Sequence, residues 1–146
     1  MESLCRSLNE LIVDIYNSIV KIESNAFKAG HFKDVSITEV HTIDAIGMYE
    51  AKSMSSVAKS LRITMGTLTV AVNNLVKKGY VERFRCQDDR RVVKVRLTGK
   101  GRLLYRIHAQ FHIQMIKNCT QNLTKEEVNL LYGALKKLDG YIKNEC

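Results

Sequence analysis

The stretch MSSVAKSLRITMGTLTVAVNNLVKKGYVERFRCQDDRRVVKVRLT, residues 54–98, decides the fold. Its apolar residues first recur every three or four positions, which is the period of an amphipathic helix. A short helix is predicted over 55–61, and a second is predicted from a Thr64 cap to Lys78, with Gly79 as its stop signal. Two helices joined by so short a turn indicate a helix-turn-helix.

After this second helix the apolar period changes from about four to two. Alternating residues predict strands over 81–86 and 92–97, and the polar turn QDDRR (87–91) lies between them. Two strands joined by such a turn form a β-hairpin. The middle of the chain therefore predicts a helix-turn-helix followed by a two-stranded wing.

Amphipathic helices are predicted on both sides of this segment, and no proline interrupts the chain. Two of them open with the capping-box pattern of a serine or threonine followed three residues later by glutamate. The predicted flanking helices cover 8–27, Ser36 to Gly47, Thr98 to Gln121, and 125–143. The expected class is mainly α with a small β-hairpin wing, in one domain over 1–146. Its winged helix-turn-helix lobe covers about 50–97, and its long terminal helices cover about 4–28 and 100–145.

The formal net charge of +8 is concentrated in one segment of the 146 residues. Between Lys52 and Arg106 there are 14 lysine or arginine residues and only three acidic ones, Glu82, Asp88 and Asp89. Such segregation predicts a polyanionic partner. Nucleic acid is favoured over a membrane surface, because the segment does not form one basic amphipathic helix.

Composition also limits the cellular setting. The chain has no apolar run of the roughly 18 residues that a membrane helix needs, and MESLCRSLNE lacks the pattern of a signal peptide. A cytoplasmic protein without a membrane partner is therefore expected. Cys5, Cys86, Cys119 and Cys146 stand apart without a CxxC pair, which predicts isolated thiols.

The second helix of the helix-turn-helix is the predicted DNA-reading helix. At 100° per residue, Leu68, Val72 and Leu75 form its buried stripe. The opposite face is small and polar, and it carries Gly66, Thr67, Val70, Asn73, Asn74 and Lys77. Asparagine can read adenine through a bidentate pair, while valine or a threonine methyl group can meet the thymine methyl. Thr64 and Thr67, near the helix start, are expected to hold phosphate.

The wing is predicted to reach the adjacent minor groove. Narrow A·T-rich minor grooves attract arginine, so Arg91 is the expected inserting residue. Asp89 is expected to orient the Arg91 guanidinium. Arg90 is expected near phosphate, and Lys94 and Arg96 on the outer strand face are expected to follow the DNA backbone.

The stretch DRRVVKVRLT resembles the D-x-R-x5-L-T wing signature of the MarR family of winged-helix repressors. The order of elements agrees over essentially the whole chain. This resemblance implies a homodimer whose first and last helices pack together, with each subunit reading half of a palindromic operator in double-stranded DNA. The segments 40–47, 65–93 and 97–112 are most similar to the fatty-acid-biosynthesis repressors of that family, for which long-chain acyl-acyl carrier protein is the implied corepressor.

An acyl effector would need a long apolar pocket. The candidate lining residues, chosen from apolar helix faces, are Ile43, Ile46, Leu104, Ile107 and Phe111. A rival interpretation is a zinc-responsive repressor of metal uptake, since two imidazoles at i and i+4 with a carboxylate can bind zinc. Its candidate ligands are Glu23, His41, His108 and His112. Hydrogen-bonded histidines without a cofactor are the preferred interpretation, and a MarR regulator of another small molecule stays open.

Catalysis is not expected. The chain contains no Gly-rich phosphate loop, G-x-S-x-G or HExxH. Its histidines and acids are scattered rather than placed around a nucleophile. An RNA-binding module is also disfavoured, because phenylalanine and tyrosine lie mostly within apolar stripes instead of forming a stacking surface.

Overall fold

Helices dominate the computed structural model, which describes residues 1–145 and confirms the predicted winged helix-turn-helix class. The first helix, Glu2–Ala29, begins before and ends beyond the predicted range 8–27. Within the described residues the elements follow in this order: α1 (Glu2–Ala29), α2 (Ile37–Ile46), β1 (Lys52–Ser53), α3 (Met54–Leu61), α4 (Met65–Lys77), β2 (Val81–Arg85), β3 (Val93–Leu97), α5 (Gly99–Thr120) and α6 (Lys125–Glu145).

Local capping signals set several helix ends. Ser36 and Glu39 form the predicted capping box: the serine hydroxyl accepts from the Glu39 N–H at 3.2 Å, and the carboxylate accepts from the Ser36 N–H at 2.7 Å. Thr124 and Glu127 make the same two bonds, at 3.2 and 2.7 Å, at the start of α6. After α2, Gly47 has a φ of 76°, a backbone conformation that favours glycine.

The helix-turn-helix consists of α3 and α4. Ser53 caps α3 by accepting from the Ser56 N–H at 3.2 Å, so this helix begins one residue earlier than predicted. Arg62 adopts the left-handed conformation, with a φ of 55°, and ends α3. Thr64 then caps α4 as predicted, accepting from the Thr67 N–H at 3.2 Å. The buried residues of α4 are Leu68, Ala71, Val72 and Leu75.

The wing is a three-stranded antiparallel sheet, in the order β1-β3-β2. Strands β2 and β3 lie within one residue of their predicted ranges, but the prediction of two strands was incomplete. In the third strand, β1, Lys52 pairs with Val95, which also pairs with Arg83 on the other side. Two residues are too few to carry a period-two pattern, so the sequence gives no sign of β1.

The described chain divides into two compact units. The first covers residues 1–108 and contains the whole hydrophobic core cluster, in which Val40, Ile43, Val57 and Leu104 are completely buried. The second begins at Ala109, inside α5, and continues through α6. The prediction of a single domain stays a prediction.

The expectations from composition concerned membrane-spanning helices and the cysteine thiols. Among residues 1–145, no helix is both long and apolar enough to cross a membrane. Cys5, Cys86 and Cys119 are free thiols, and the fourth predicted thiol, Cys146, lies outside the described residues.

The backbone that leaves α4 meets the start of α5 at very close range. The Thr98 N–H donates to the Tyr80 carbonyl at 3.0 Å, and the Thr98 hydroxyl donates to the Gly79 carbonyl at 2.6 Å. A Cβ added to Gly101 would collide with the Tyr80 carbonyl oxygen and would lie 3.2 Å from the Leu97 Cβ. Only glycine therefore fits at position 101 without moving the backbone of the wing.

This close approach makes Gly101→Ala a test of the fold. We expect the substitution to lower the free energy of unfolding by about 3 kcal/mol or more, because the obstructing atom belongs to the backbone. Gly99→Ala is the matched control, since an added Cβ there meets no atom within 4 Å; its stability should change by about 1 kcal/mol or less. Chemical denaturation of both variants measures the difference, and equal stabilities would contradict the assigned role of Gly101.

Candidate nucleic-acid interface

The face of α4 opposite its buried stripe is exposed, as the helical periodicity predicted. The predicted contact residues on it are all exposed: Thr64, Gly66, Thr67, Val70, Asn73, Asn74 and Lys77. At the helix start, the hydroxyls of Thr64 and Thr67 are hydrogen-bonded to each other at 2.9 Å. Apart from Lys77, the surface offers small side chains and amide groups, which suits close approach to base edges.

Asn73 contacts a wing residue that the sequence analysis missed. Nη2 of Arg83, in β2, donates to the Asn73 side-chain oxygen. Strand alternation puts Arg83 on the same face as Val81, which is buried, and β2 lies against α4. The phase of the strand is therefore a signal that could have identified Arg83 as a neighbour of the reading helix.

At the wing tip, Asp89 holds the backbone rather than the guanidinium of Arg91. The Arg91 N–H donates to the Asp89 Oδ1 at 2.9 Å, and the Val92 N–H donates to the Asp89 carbonyl at 3.0 Å. Within residues 1–145 the Arg91 guanidinium has no hydrogen-bond or ion-pair partner. The predicted orientation of this group by Asp89 is therefore not observed. Asp89 instead shapes the turn by accepting from the backbone N–H two residues later, as aspartate commonly does.

The other predicted basic residues of the wing differ in exposure and in their contacts with neighbouring side chains. Arg90 is exposed at the tip, while Lys94 is only partly exposed. Arg96 is exposed but engaged: its Nε donates to the Glu82 carboxylate at 2.7 Å, and its guanidinium lies 5.2 Å from the Phe84 ring centre. Following a DNA backbone would require Arg96 to leave these two neighbours.

An ion pair joins the end of α4 to the start of α2. Lys78 Nζ lies 2.8 Å from both carboxylate oxygens of Glu39, which is buried and also caps α2. The Lys100 ammonium, near the start of α5, donates to the Lys78 carbonyl at 3.0 Å. These contacts hold the last turn of α4 in one position.

A second polar contact fixes the same region. The buried Tyr80 hydroxyl donates to Asp34 Oδ1 at 2.8 Å, and Lys100 Nζ lies 3.6 Å from Asp34 Oδ2 and 4.1 Å from the Tyr80 ring centre. Burial and the Asp34 carboxylate raise the pKa of Tyr80. For Asp34, burial acts to raise the pKa, but the Tyr80 hydroxyl and Lys100 outweigh it and lower the pKa below its usual value. The phenol stays protonated and the carboxylate charged at neutral pH.

Three of the four predicted zinc ligands lie together within the first unit. Oxygen or nitrogen atoms of Glu23, His41 and His108 all lie within 4.8 Å of one another. His108 Nε2 contacts Glu23 Oε1, and His41 Nε2 lies 3.3 Å from the same oxygen. Asp44, which was not predicted, lies 2.7 Å from His108 Nδ1.

The environment of His108 favours its charged form. Burial acts to lower the pKa of this histidine, but the carboxylates of Asp44 and Glu23 outweigh it and raise the pKa. A histidine between two carboxylates is a stable charge arrangement without a metal. It is also the arrangement in which a carboxylate orients a metal-binding imidazole through its other nitrogen, so the geometry is compatible with both interpretations.

The remaining predicted effector residues are distributed over both units. Ile43, Ile46 and Leu104 are completely buried in the core of the first unit, whereas Ile107 is exposed. Phe111, the fifth predicted pocket residue, lies in the second unit with His112, the fourth predicted zinc ligand, and their rings meet edge-on with centres 5.3 Å apart. An acyl pocket lined by the five apolar residues stays a prediction.

Known proteins resemble the chain over nearly its full length. Residues 35–93 match the model of the MarR family. FabT of Streptococcus pneumoniae, in a crystal structure with DNA, is 39% identical; the match covers 97% of this chain and 99% of FabT, with a TM-score of 0.91. A mutant MarR of Escherichia coli with operator DNA is 26% identical, with coverages of 90% and 93% and a TM-score of 0.74. MarR of Salmonella typhimurium is 26% identical over 137 residues, covering 86% of this chain and 95% of that protein.

The free guanidinium at the wing tip leads to a prediction about duplex DNA. We expect Arg91→Ala to weaken binding about tenfold and to reduce the preference for A·T pairs flanking each half-site, because a narrow minor groove attracts arginine. Arg90→Ala is the neighbouring control, and it should weaken all duplexes alike if Arg90 contacts phosphate. Fluorescence anisotropy at matched salt measures both, and an Arg91→Ala affinity within twofold of the original chain would contradict the minor-groove role.

Proposed function

The chain belongs to the MarR family of DNA-binding transcriptional regulators, and from this premise we propose that it represses genes of fatty-acid biosynthesis. The observation that carries the proposal is the 39% identity to FabT across 99% of that protein. In this proposal the chain binds a palindromic operator as a homodimer, and long-chain acyl-acyl carrier protein is its corepressor.

The DNA contacts follow from two exposed elements, the outer face of α4 and the tip of the hairpin. The open face of α4 enters the major groove, since its small and amide-bearing residues allow close approach to base edges. The hairpin tip extends from the sheet that packs beside α4, and Arg91 enters the adjacent minor groove. The concentration of positive charge between Lys52 and Arg106 neutralises phosphates along this surface.

Homodimerisation would cover apolar surface that α1 leaves exposed. The predicted apolar stripe of this helix is half exposed to solvent at Leu8, Leu11, Ile12, Ile15 and Ile22. Within residues 1–145, this helix buries only Glu23 and Phe27, both near its end. An apolar stripe of this length is rarely left in water by a stable monomer, which supports a second copy of the chain as its cover.

The last helix has the same property within its own unit. Helix α6 has no buried residue among those described. Its large apolar side chains are exposed, namely Leu130, Leu131, Tyr132, Leu135, Leu138, Tyr141 and Ile142. Dimerisation through both terminal helices would remove this surface from water and would bring two reading helices to half-sites about one helical turn apart.

A metal-responsive regulator is the second candidate function. It is favoured by the proximity of Glu23, His41 and His108, since zinc binds imidazole nitrogen and carboxylate oxygen in a compact set. These three residues would hold the ion, and Asp44 would orient the His108 ring from its other side. In this alternative the effector acts through the cluster instead of through an acyl chain.

The dimer can be tested on the exposed face of α1. We expect Ile12→Glu to convert the chain from a dimer to a monomer at micromolar concentration, because a carboxylate cannot be buried in an apolar interface without a partner. Asn17→Glu, on the opposite face of the same helix, adds the same charge and should leave the dimer intact. Light scattering after size exclusion measures the mass, and an original chain that is monomeric at every concentration would refute the proposal.

One titration distinguishes the two effectors. Operator binding is measured with long-chain acyl-acyl carrier protein, with unacylated carrier protein, with zinc, and with no addition. The proposal predicts that affinity rises by about tenfold or more with the acylated carrier alone, which is a typical size for coupling between two sites.

The metal alternative predicts a different effector in the same assay. Zinc would then change operator affinity, and His41→Ala would remove its effect. His41 is the suitable ligand to replace because its side chain is 44% exposed, whereas His108 is buried. A zinc effect that persists in this variant would exclude the three-residue cluster as the sensing site.

A further inference from the structure

The contact between Asn73 and Arg83 determines what the reading helix can offer to DNA. Arg83 is on the face of β2 that also carries the buried Val81, and it pairs across the sheet with the buried Val95. From this position its Nη2 donates to the Asn73 oxygen. Both side chains are exposed, so their free atoms are accessible to a duplex lying against α4.

The chemistry of the guanidinium fixes the orientation of the Asn73 amide. Arginine carries only hydrogen-bond donors, so it can engage only the oxygen of a neighbouring amide. The Asn73 oxygen is therefore held toward the wing, and the NH2 group is left to face outward. A flipped amide would place N–H groups against the N–H groups of Arg83, which is unfavourable.

An asparagine held in this orientation is poorly placed to pair with adenine in the usual manner. The bidentate pair needs the amide oxygen to accept from adenine N6 while the NH2 group donates to N7. The Asn73 oxygen keeps a second lone pair, but it is turned toward the wing by Arg83, so the NH2 group is the part of the amide best placed to meet a base. Guanine and thymine present a keto oxygen in the major groove, at O6 and O4 respectively, and guanine adds the N7 acceptor.

The positive charge of Arg83 acts in the same direction. A guanidinium beside Asn73 attracts the acceptor atoms of a keto base and disfavours the N6 amino group of adenine. The neighbouring Asn74 has no such restriction, because its side chain makes no hydrogen bond within residues 1–145. Asn74 can still form the adenine pair, which makes it an internal control.

We propose that Arg83 is a specificity-determining residue: it holds the Asn73 amide so that α4 prefers guanine or thymine over adenine at the contacted position. This replaces the expectation from the sequence that Asn73 reads adenine. The inference rests on the proposed function, because it needs the exposed face of α4 to lie in the major groove.

The test begins with the full chain and a library of randomised duplexes. Selection by binding identifies the half-site, and each of its base pairs is then replaced by the other three. Asn73→Ala locates the contacted position, where the original chain should prefer a keto base by about tenfold. Asn74→Ala should lose discrimination at a different position.

Three further variants distinguish an Arg83 that orients the Asn73 amide from an Arg83 that contributes only its positive charge. Arg83→Met keeps an unbranched apolar stem but donates nothing, so adenine should become about as acceptable as the keto base at that position. Arg83→Lys restores a donor to Asn73 and should restore the preference. Asn73→Asp keeps an acceptor for Arg83 but has no NH2 group, so it should lose about tenfold in affinity for the keto base.

Two results would overturn this role of Arg83. If Arg83→Met weakens every duplex equally and reduces the salt dependence of binding, Arg83 contacts phosphate and does not set the base preference. If the original chain prefers adenine at the position located by Asn73→Ala, the amide is not held as proposed. A chain that selects no sequence from the library would overturn the proposed function itself.

Discussion

The reading surface depends on one steric constraint, the close approach of the Gly101 backbone to the Tyr80 carbonyl. Tyr80 lies between the end of α4 and the start of β2, so this contact fixes the reading helix and the wing against the same point of α5. Thr98 reinforces it with hydrogen bonds to the Gly79 and Tyr80 carbonyls. The proposed binding of both grooves would require a fixed spacing between helix and hairpin, and a backbone contact sets that spacing more rigidly than long side chains could.

The parts of the fold that were predictable are those encoded over a few residues. Interactions within a short segment decide three of these features: the Ser36 capping box, the Thr64 cap and the change of apolar period after Gly79. They therefore predict helices and strands without knowledge of tertiary packing. The exposed face of α4 follows from the same periodicity. Strand β1 escaped prediction because its pairing with β3 is a tertiary contact between two segments about 40 residues apart in sequence.

The candidate sites were predictable only as far as single elements allow. Two histidines one turn apart can be recognised on one helix, but the carboxylates that surround His108 come from α1 and α2. Similarly, helical periodicity identifies Asn73 as exposed but does not reveal that Arg83 occupies its oxygen. Sequence patterns thus give the residues of a surface, while the hydrogen-bonding state of each residue depends on neighbours brought in by the fold.

The two grooves would be read by opposite physical strategies. In α4, Asn73 is held by Arg83 in the free protein, so little side-chain entropy would be lost on binding and a wrong base would leave a donor unsatisfied. In the wing, Asp89 orders only the backbone, and the Arg91 guanidinium stays without a partner within residues 1–145. A free guanidinium can adapt to the width of a minor groove, where base identity is poorly displayed and shape dominates. A rigidly held hydrogen-bond donor suits the major groove, where each base pair presents a distinct pattern of donors and acceptors. A mobile charge suits the minor groove, where electrostatic potential varies with groove width.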